Sequence, residues 1–215
     1  MRKKAIIIRS IIAIGRQYGS GGHDIGREVA ARLGIPFYDK ELITLAAKEH
    51  GYAPEVFEKA DETASNSFLY ALSTGAFTIG HSYNTHTVIP ITDKLYIAQS
   101  NIIKELAAKG PCVIVGRCAD SILAQDPNLV SVFICADIES RIQRIMSKHG
   151  VDRAKAAEMI QKNDKRRANY YNFYSNKKWS SIDNYDLAIN SEHIGTEGAV
   201  SLICDFVKIR EEMKK

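Results

Sequence analysis

The sequence of 215 residues lacks several features that would assign it to a specialised class of protein. No apolar run approaches the roughly 18 residues of a membrane span, so we expect no membrane partner. The six histidines lack the spacing of a metal site. The cysteines form no C-x-x-C pair, which favours reduced thiols in a cytoplasmic protein: Cys112, Cys118, Cys135 and Cys204. The remaining composition is ordinary, and we expect one domain covering residues 1–215.

A strong excess of charge of one sign is also missing. The net charge of +4 is too small to indicate a general nucleic-acid-binding protein. However, residues 141–178 contain 11 basic and 3 acidic side chains, while the rest of the chain has a net charge of −4. This basic segment indicates a local anionic ligand. The aromatic residues at 170–179 allow an alternative interpretation as a base-stacking surface, but such residues more often pack a helix against the body, so we expect no nucleic-acid partner.

The order of apolar runs and glycines predicts an α/β fold. A β-branched run at 11–14 is typical of a buried strand, and a glycine loop, a helical period and a second strand at 36–39 follow it. This succession predicts a βαβ unit with parallel strands. Further strands are predicted at 112–116, 130–135 and 186–190, and helices at 92–109, 138–148, 153–171 and 198–212. The expected architecture is a three-layer α/β/α domain with about five parallel strands.

The loop Gly19-Ser20-Gly21-Gly22 is the clearest functional signal. Glycines allow positive φ angles, and a loop between a strand and a helix start directs backbone N–H groups and the helix dipole at an anion. The loop departs from the Walker pattern, because His23 stands where a lysine is required. It departs from the G-x-G-x-x-G pattern at Asp24. An acidic residue, Asp39, after the second strand keeps a dinucleotide-binding dehydrogenase as a minority interpretation, although such an enzyme does not explain the basic segment.

Two longer stretches carry a resemblance to a known family. Tyr18-Gly19-Ser20-Gly21-Gly22 with Gly26-Arg27, and Cys112-Val113-Ile114-Val115-Gly116-Arg117, resemble the cytidylate kinase-like family, a divergent branch of the P-loop nucleoside monophosphate kinases. The resemblance implies a P-loop nucleoside triphosphate hydrolase-like fold with a helical lid at 141–178 and an acceptor-binding segment at 39–90. It also implies that ATP and Mg²⁺ bind at the loop residues Gly19, Ser20, Gly21, Gly22, His23 and Asp24.

The loop departs from the family pattern at two positions that matter for catalysis. The family's loop lysine falls on Gly22 and its magnesium-binding hydroxyl falls on Asp24, and these groups normally follow the phosphates and hold the metal. We expect Arg16, at the end of the first strand, to reach over the phosphates as a catalytic cation, and Asp24 to ligate Mg²⁺ directly. A β-carbon at Gly22 is expected to distort a positive φ. The alternatives are a surface role for Arg16 and a dipole-favoured acid at Asp24.

Arg117 follows a buried strand, at the edge where open parallel sheets bind ligands. An arginine there can direct two donors at a phosphate, so we expect Arg117 to bind substrate and to assist catalysis. The alternative is a structural pair with Asp120. We also expect Asp39 to contact the substrate.

The lid signature of the family resembles Asp164-Lys165-Arg166-Arg167. The resemblance implies that Asp164 and Arg167 face the substrate, with Arg167 neutralising the migrating phosphoryl group and Arg153 adding a further contact. Arg141 and Arg144 are expected to make structural ion pairs instead.

Two hypotheses of function result. The first is a phosphotransferase that moves a phosphoryl group from ATP–Mg²⁺ to a small acceptor, a nucleoside monophosphate such as CMP. The second is a nucleotide- or phosphometabolite-binding protein without kinase activity, because the loop lysine is absent. Residues 62–90 contain no interpretable motif, so the sequence identifies neither the acceptor nor the oligomeric state.

Overall fold

The computed structural model of the chain describes residues 6–43 and 91–214. Most of the predicted acceptor-binding segment, residues 44–90, lies outside these ranges. The five strands are β1 (Ile11–Arg16), β2 (Phe37–Tyr38), β3 (Cys112–Val115), β4 (Leu129–Cys135) and β5 (Leu187–Asn190). The α-helices include α1 (Gly22–Leu33), α2 (Ile91–Ala108), α3 (Ala119–Ile122), α4 (Ile138–His149), α5 (Arg153–Ser175) and α6 (Gly195–Met213).

The strands form one parallel sheet with the order β2-β3-β1-β4-β5, which confirms the predicted fold class. The central strand β1 pairs with β3 on one side, where Ile14 lies opposite Val115, and with β4 on the other, where Arg16 lies opposite Ile134. Because all strands run the same way, their carboxyl ends meet at one edge. The glycine loop after β1 and the Gly116 turn after β3 are therefore neighbours.

Alternate residues of the central strands enter two different apolar layers. Ile12 and Ile14 pack with Val29 of α1 and Ile203 of α6 on one face of the sheet. On the other face, Ile11 and Ala13 pack with residues of α2 and α3. This alternation follows from the two-residue period of a strand, and burial of both faces explains the β-branched composition of the runs.

The basic segment forms two packed helices. Ile142 and Ile145 of α4 contact Ala156 and Ile160 of α5 in a separate apolar cluster. Helix α5 continues to Ser175, four residues beyond its predicted end, and stops where Asn176 adopts a left-handed conformation. The prediction that this segment acts as a lid stays a prediction. Within the described ranges, no helix is long and apolar enough to cross a membrane.

Candidate functional site

The glycine loop has the backbone geometry of an anion-binding turn. Gly19 and Gly21 have φ angles of 82° and 81°, in the left-handed region that glycine tolerates. Gly21 is the N-cap of α1 and no side chain described here caps the helix. Since the first-turn N–H groups of a helix have no intrahelical acceptor, those of α1 remain available to an anion.

Gly22 is a glycine for a different reason from the one that the sequence predicts. It is the first residue of α1, and its φ is not positive, so the expectation of a left-handed Gly22 is wrong. A β-carbon at this position would lie 2.6 Å from Cβ and 3.1 Å from Cγ of Arg16. The space that a loop lysine would need is therefore occupied by the stem of the Arg16 side chain.

Residues of α4 and α5 hold the loop from outside. Asp164 accepts a hydrogen bond of 2.7 Å from the Tyr18 backbone N–H and forms an ion pair with Arg141, which also donates to the Tyr18 carbonyl. The expected structural ion pair of Arg141 is thus confirmed, while Asp164 is placed on the loop backbone. Arg144 donates to the carbonyl of Gly19, and among the described residues it makes no ion pair of the predicted kind. These contacts fix the loop geometry.

The Arg16 side chain leads away from the loop. Its guanidinium reaches Gly116 at the end of β3, where a β-carbon would overlap Nη1 and lie 3.0 Å from Cζ. Burial, followed by the charges of Arg167 and Arg117, lowers the pKa of Arg16 well below its ordinary value. Among the described residues, the guanidinium lies next to the β3 edge instead of above Gly19–Gly22.

A cavity of about 140 Å³ opens at this edge of the sheet. The ends of β1 and β3, the turn after β3 and the second half of α5 form its wall. Among residues 6–43 and 91–214, its lining contains five basic side chains and a single acidic one: Arg16, Lys40, Arg117, Arg166 and Arg167, with Asp120. The sequence analysis identified Arg16, Arg117 and Arg167 as candidates, and the structure brings these three together.

Arg117 and Arg167 both line the cavity, Arg117 from the turn after β3 and Arg167 from α5. Arg117 follows Gly116 in a turn whose residues both have positive φ, and its Cζ lies 5.8 Å from the ring centroid of Tyr170. Arg167 donates a 2.9 Å hydrogen bond to the carbonyl of Arg16. Burial lowers the pKa of Arg167 to about 10, with Asp164 opposing the shift. Clustered, desolvated cations repel one another, and an anion in the cavity would relieve that repulsion.

Asp120, Tyr171 and Tyr185 form a largely buried polar part of the cavity lining. The buried carboxyl group of Asp120 accepts a 2.6 Å hydrogen bond from the Tyr171 hydroxyl, and burial raises the pKa of Asp120. The Tyr185 hydroxyl lies beside the Tyr171 hydroxyl, and burial raises the pKa of Tyr185. The sequence analysis missed Tyr171 and Tyr185, because an aromatic run beside charges gives no sign of which hydroxyls face a cavity.

The polar residues at the start of α1 form a second cluster. His23 Nε2 lies 3.0 Å from Oδ2 of Asp39, and Asp39 also accepts from the backbone N–H groups of Glu41 and Leu42. Burial opposes ionisation of Asp39, but these hydrogen bonds outweigh it and hold its pKa below the usual range. Asp39 thus joins α1 to the segment that leads into residues 44–90.

Asp24 lies on the exposed side of the same cluster. Its Oδ1 is 3.2 Å from Nη2 of Arg27, and the Arg27 side chain is 65% exposed, away from the cavity lining. No group of three potential metal ligands occurs in residues 6–43 and 91–214. Protein sites often bind Mg²⁺ through one or two carboxylates together with substrate phosphates, so Asp24 fits a metal ion that arrives with a nucleotide.

Arg153 lies apart from these groups. Its guanidinium pairs with both carboxylate oxygens of Glu139, and the Arg153 side chain is largely exposed. It is absent from the cavity lining, whereas Lys40 and Arg166, which the sequence analysis did not single out, belong to it. Arg166 stands inside the lid signature at 164–167, and Lys40 stands inside the expected acceptor-binding segment at 39–90, which was the available signal.

Comparison with known proteins gives both a family match and a fold match. The model of the cytidylate kinase-like family matches residues 11–193. An uncharacterised protein from Eubacterium ventriosum is 32% identical, with a TM-score of 0.70 over 92% of this chain and 98% of that chain. A shikimate kinase from Bacteroides thetaiotaomicron has a TM-score of 0.50 at 14% identity, over 93% and 98% of the two chains, which supports the P-loop kinase fold alone. No curated protein matches the sequence.

Proposed function

We propose that this chain, which belongs to the cytidylate kinase-like family, is a phosphotransferase that moves a phosphoryl group from ATP–Mg²⁺ to a small anionic acceptor. The nucleotide phosphates bind at Gly19–Asp24, and the acceptor binds in the cationic cavity. The acceptor is a nucleoside monophosphate such as CMP, and Arg16, Arg117 and Arg167 are the catalytic cations.

The observation that carries this proposal is the convergence of cations beside the glycine loop. Besides burial, the charges of Arg167 and Arg117 lower the pKa of Arg16, and the charge of Arg117 lowers the pKa of Arg167. Among the described residues, the cavity lining contains one acidic side chain, Asp120, whose pKa is raised. Phosphoryl transfer requires little covalent catalysis by the protein. It depends on positioning of the two reactants and on neutralisation of the negative charge of the phosphates. Cations fixed before the reaction are the most effective form of such stabilisation.

The acceptor chemistry agrees with this arrangement. In the transfer, the bond from the γ-phosphorus to the oxygen that leaves with ADP breaks, while an acceptor oxygen forms the new bond to phosphorus. A phosphate monoester oxygen is already ionised at neutral pH, so no base has to remove a proton from it. Arg117 and Arg167 orient the acceptor phosphate, and the first-turn N–H groups of α1 hold the donor phosphates. Bound Mg²⁺ supplies neutralisation of the phosphate oxygens, with Asp24 as its protein ligand.

A second candidate function is binding of a nucleotide or phosphometabolite without transfer. The stem of Arg16 occupies the space of a loop lysine, and a cation that follows the β- and γ-phosphates is a normal part of P-loop catalysis. A protein with this loop retains the anion-binding backbone whether or not it transfers the γ-phosphoryl group.

A coupled assay of ADP release separates the two functions. Purified protein is supplied with ATP and Mg²⁺ and with each of a panel of nucleoside monophosphates, and calorimetry measures binding of the same compounds. The proposal expects acceptor-dependent ADP release that Arg167→Ala reduces about a hundredfold. Arg32→Ala is the matched control, because Arg32 pairs with Glu197 and Ser201 away from the cavity. Binding without turnover would leave the second candidate, and no nucleotide binding would exclude both.

A further inference from the structure

The path of the Arg16 side chain depends on two glycines that are distant in sequence. Its Cβ and Cγ pass beside Gly22 at the start of α1, and its guanidinium rests against Gly116 after β3. A β-carbon at Gly22 would lie 2.6 Å from Arg16 Cβ, and one at Gly116 would overlap the guanidinium. A side chain at either position would displace Arg16, and at Gly116 the φ of 84° favours glycine as well.

The surroundings of the guanidinium indicate a ligand. Within residues 6–43 and 91–214, Arg16 makes no ion pair with a carboxylate, and the largest charge effects on it come from Arg167 and Arg117. Asp39 is the acid with a smaller, opposing effect. The guanidinium thus faces a cavity wall with other cations, an arrangement that costs free energy until an anion binds.

We propose that Arg16 contacts the transferring phosphoryl group from the acceptor side, and that Gly22 and Gly116 are the positioning residues that route it there. This proposal rests on the phosphotransferase function proposed above. In a P-loop with a lysine, that lysine provides a cation from the start of α1. Here Arg16 provides the cation from the end of β1, across the edge of the sheet. Lysine at position 22 and arginine at position 16 then exclude each other, because both need the same space.

Chemical rescue tests the route directly. Arg16→Ala keeps the β-carbon beside Gly22 and leaves a guanidinium-sized space at Gly116, so kcat should fall about a hundredfold and added guanidinium at non-denaturing concentration should restore part of it. Gly116→Ala should push the guanidinium aside and lower kcat to a similar degree. The double variant should be no slower than either single variant, and guanidinium should fail to rescue it, since the new methyl group fills the space.

Binding of inorganic phosphate provides a readout that does not depend on turnover. Calorimetry should show phosphate binding about tenfold weaker in Arg16→Ala and in Gly116→Ala than in the wild type, as loss of a charged hydrogen bond predicts. Arg32→Ala should bind phosphate as the wild type does. Thermal unfolding of each variant shows whether it is folded before these comparisons are made.

The outcomes separate this proposal from the phosphotransferase proposal. Full turnover and full phosphate affinity in Arg16→Ala would overturn the role of Arg16 while leaving the enzyme function intact. Rescue of the double variant by guanidinium would overturn the placement against Gly116. A wild type that transfers nothing to any acceptor would overturn the enzyme function, and weaker phosphate binding by Arg16→Ala would then still establish that Arg16 faces an anion site.

Discussion

Replacing Gly22 by alanine tests the packing between α1 and β1, because two physical effects of this replacement change the free energy of unfolding in opposite directions. In an ordinary helix position, alanine is more stable than glycine by about 0.5–1 kcal/mol. At Gly22 the new β-carbon lies 2.6 Å from Arg16 Cβ and 3.2 Å from Ile134 Cβ, and neither is the flexible end of a side chain. Overpacking of this kind typically costs about 1–3 kcal/mol.

We therefore expect Gly22→Ala to lower the free energy of unfolding by about 1 kcal/mol, which corresponds to a fall in Tm of about 2–4 °C in a chain of this size. The matched backgrounds are Arg16→Ala, which keeps the clashing β-carbon, and Arg16→Gly, which removes it. The penalty of Gly22→Ala should persist in the first background and shrink in the second, as coupling between contacting residues requires. Urea denaturation of the wild type, the three single variants and the two double variants measures this cycle. A stabilising Gly22→Ala, or an equal penalty in both backgrounds, would refute the packing argument.

Three further predictions concern the groups around the loop and the cavity. Asp164→Asn should destabilise the fold by about 3 kcal/mol in urea denaturation, because it leaves the buried guanidinium of Arg141 without its counter-charge. An unchanged denaturation midpoint would show that the ion pair is dispensable. The pKa of Asp39 is lowered in the folded state, so ionised Asp39 stabilises the fold above pH about 4, and this stabilisation is lost as the pH falls through the folded-state pKa. Asp39→Asn should remove this loss of stability at acid pH. Unfolding curves between pH 3 and 6 would show the difference. The pKa of Asp120 is raised in the folded state, so the free energy of unfolding falls as the pH rises from the unfolded-state pKa of Asp120 to its folded-state pKa. Asp120→Asn should flatten the dependence of stability on pH above pH about 4. An identical dependence in the variant would contradict this.

The sheet and the glycine loop could be predicted from the sequence because both depend on local patterns of residues. The β-branched run of β1 alternates between two apolar layers, as a strand buried on both faces must, and it ends at the glycine loop. The left-handed angles at Gly19 and Gly21 belong to the same local signal.

The contacts of Arg16 and Asp164 could not be predicted from the sequence because they depend on distant partners. Arg16 takes its direction from Gly116, one hundred residues further along the chain, and nothing near Arg16 encodes that direction. Asp164 was expected to face a ligand because its family pattern places it in a lid. The fold instead brings it to the Tyr18 N–H and to Arg141. Both cases concern which of several possible polar partners a side chain meets after the chain has folded.

In the phosphotransferase that we propose, an acceptor bound in the cationic cavity beside the glycine loop receives the γ-phosphoryl group of ATP. Incubation of the protein with γ-labelled ATP, Mg²⁺ and a panel of nucleoside monophosphates, followed by identification of the labelled products, measures this transfer. We expect a labelled nucleoside diphosphate with at least one acceptor, and about a hundredfold less of it with Arg167→Ala. Label that appears only as inorganic phosphate, or an equal yield of product from Arg167→Ala, would contradict it.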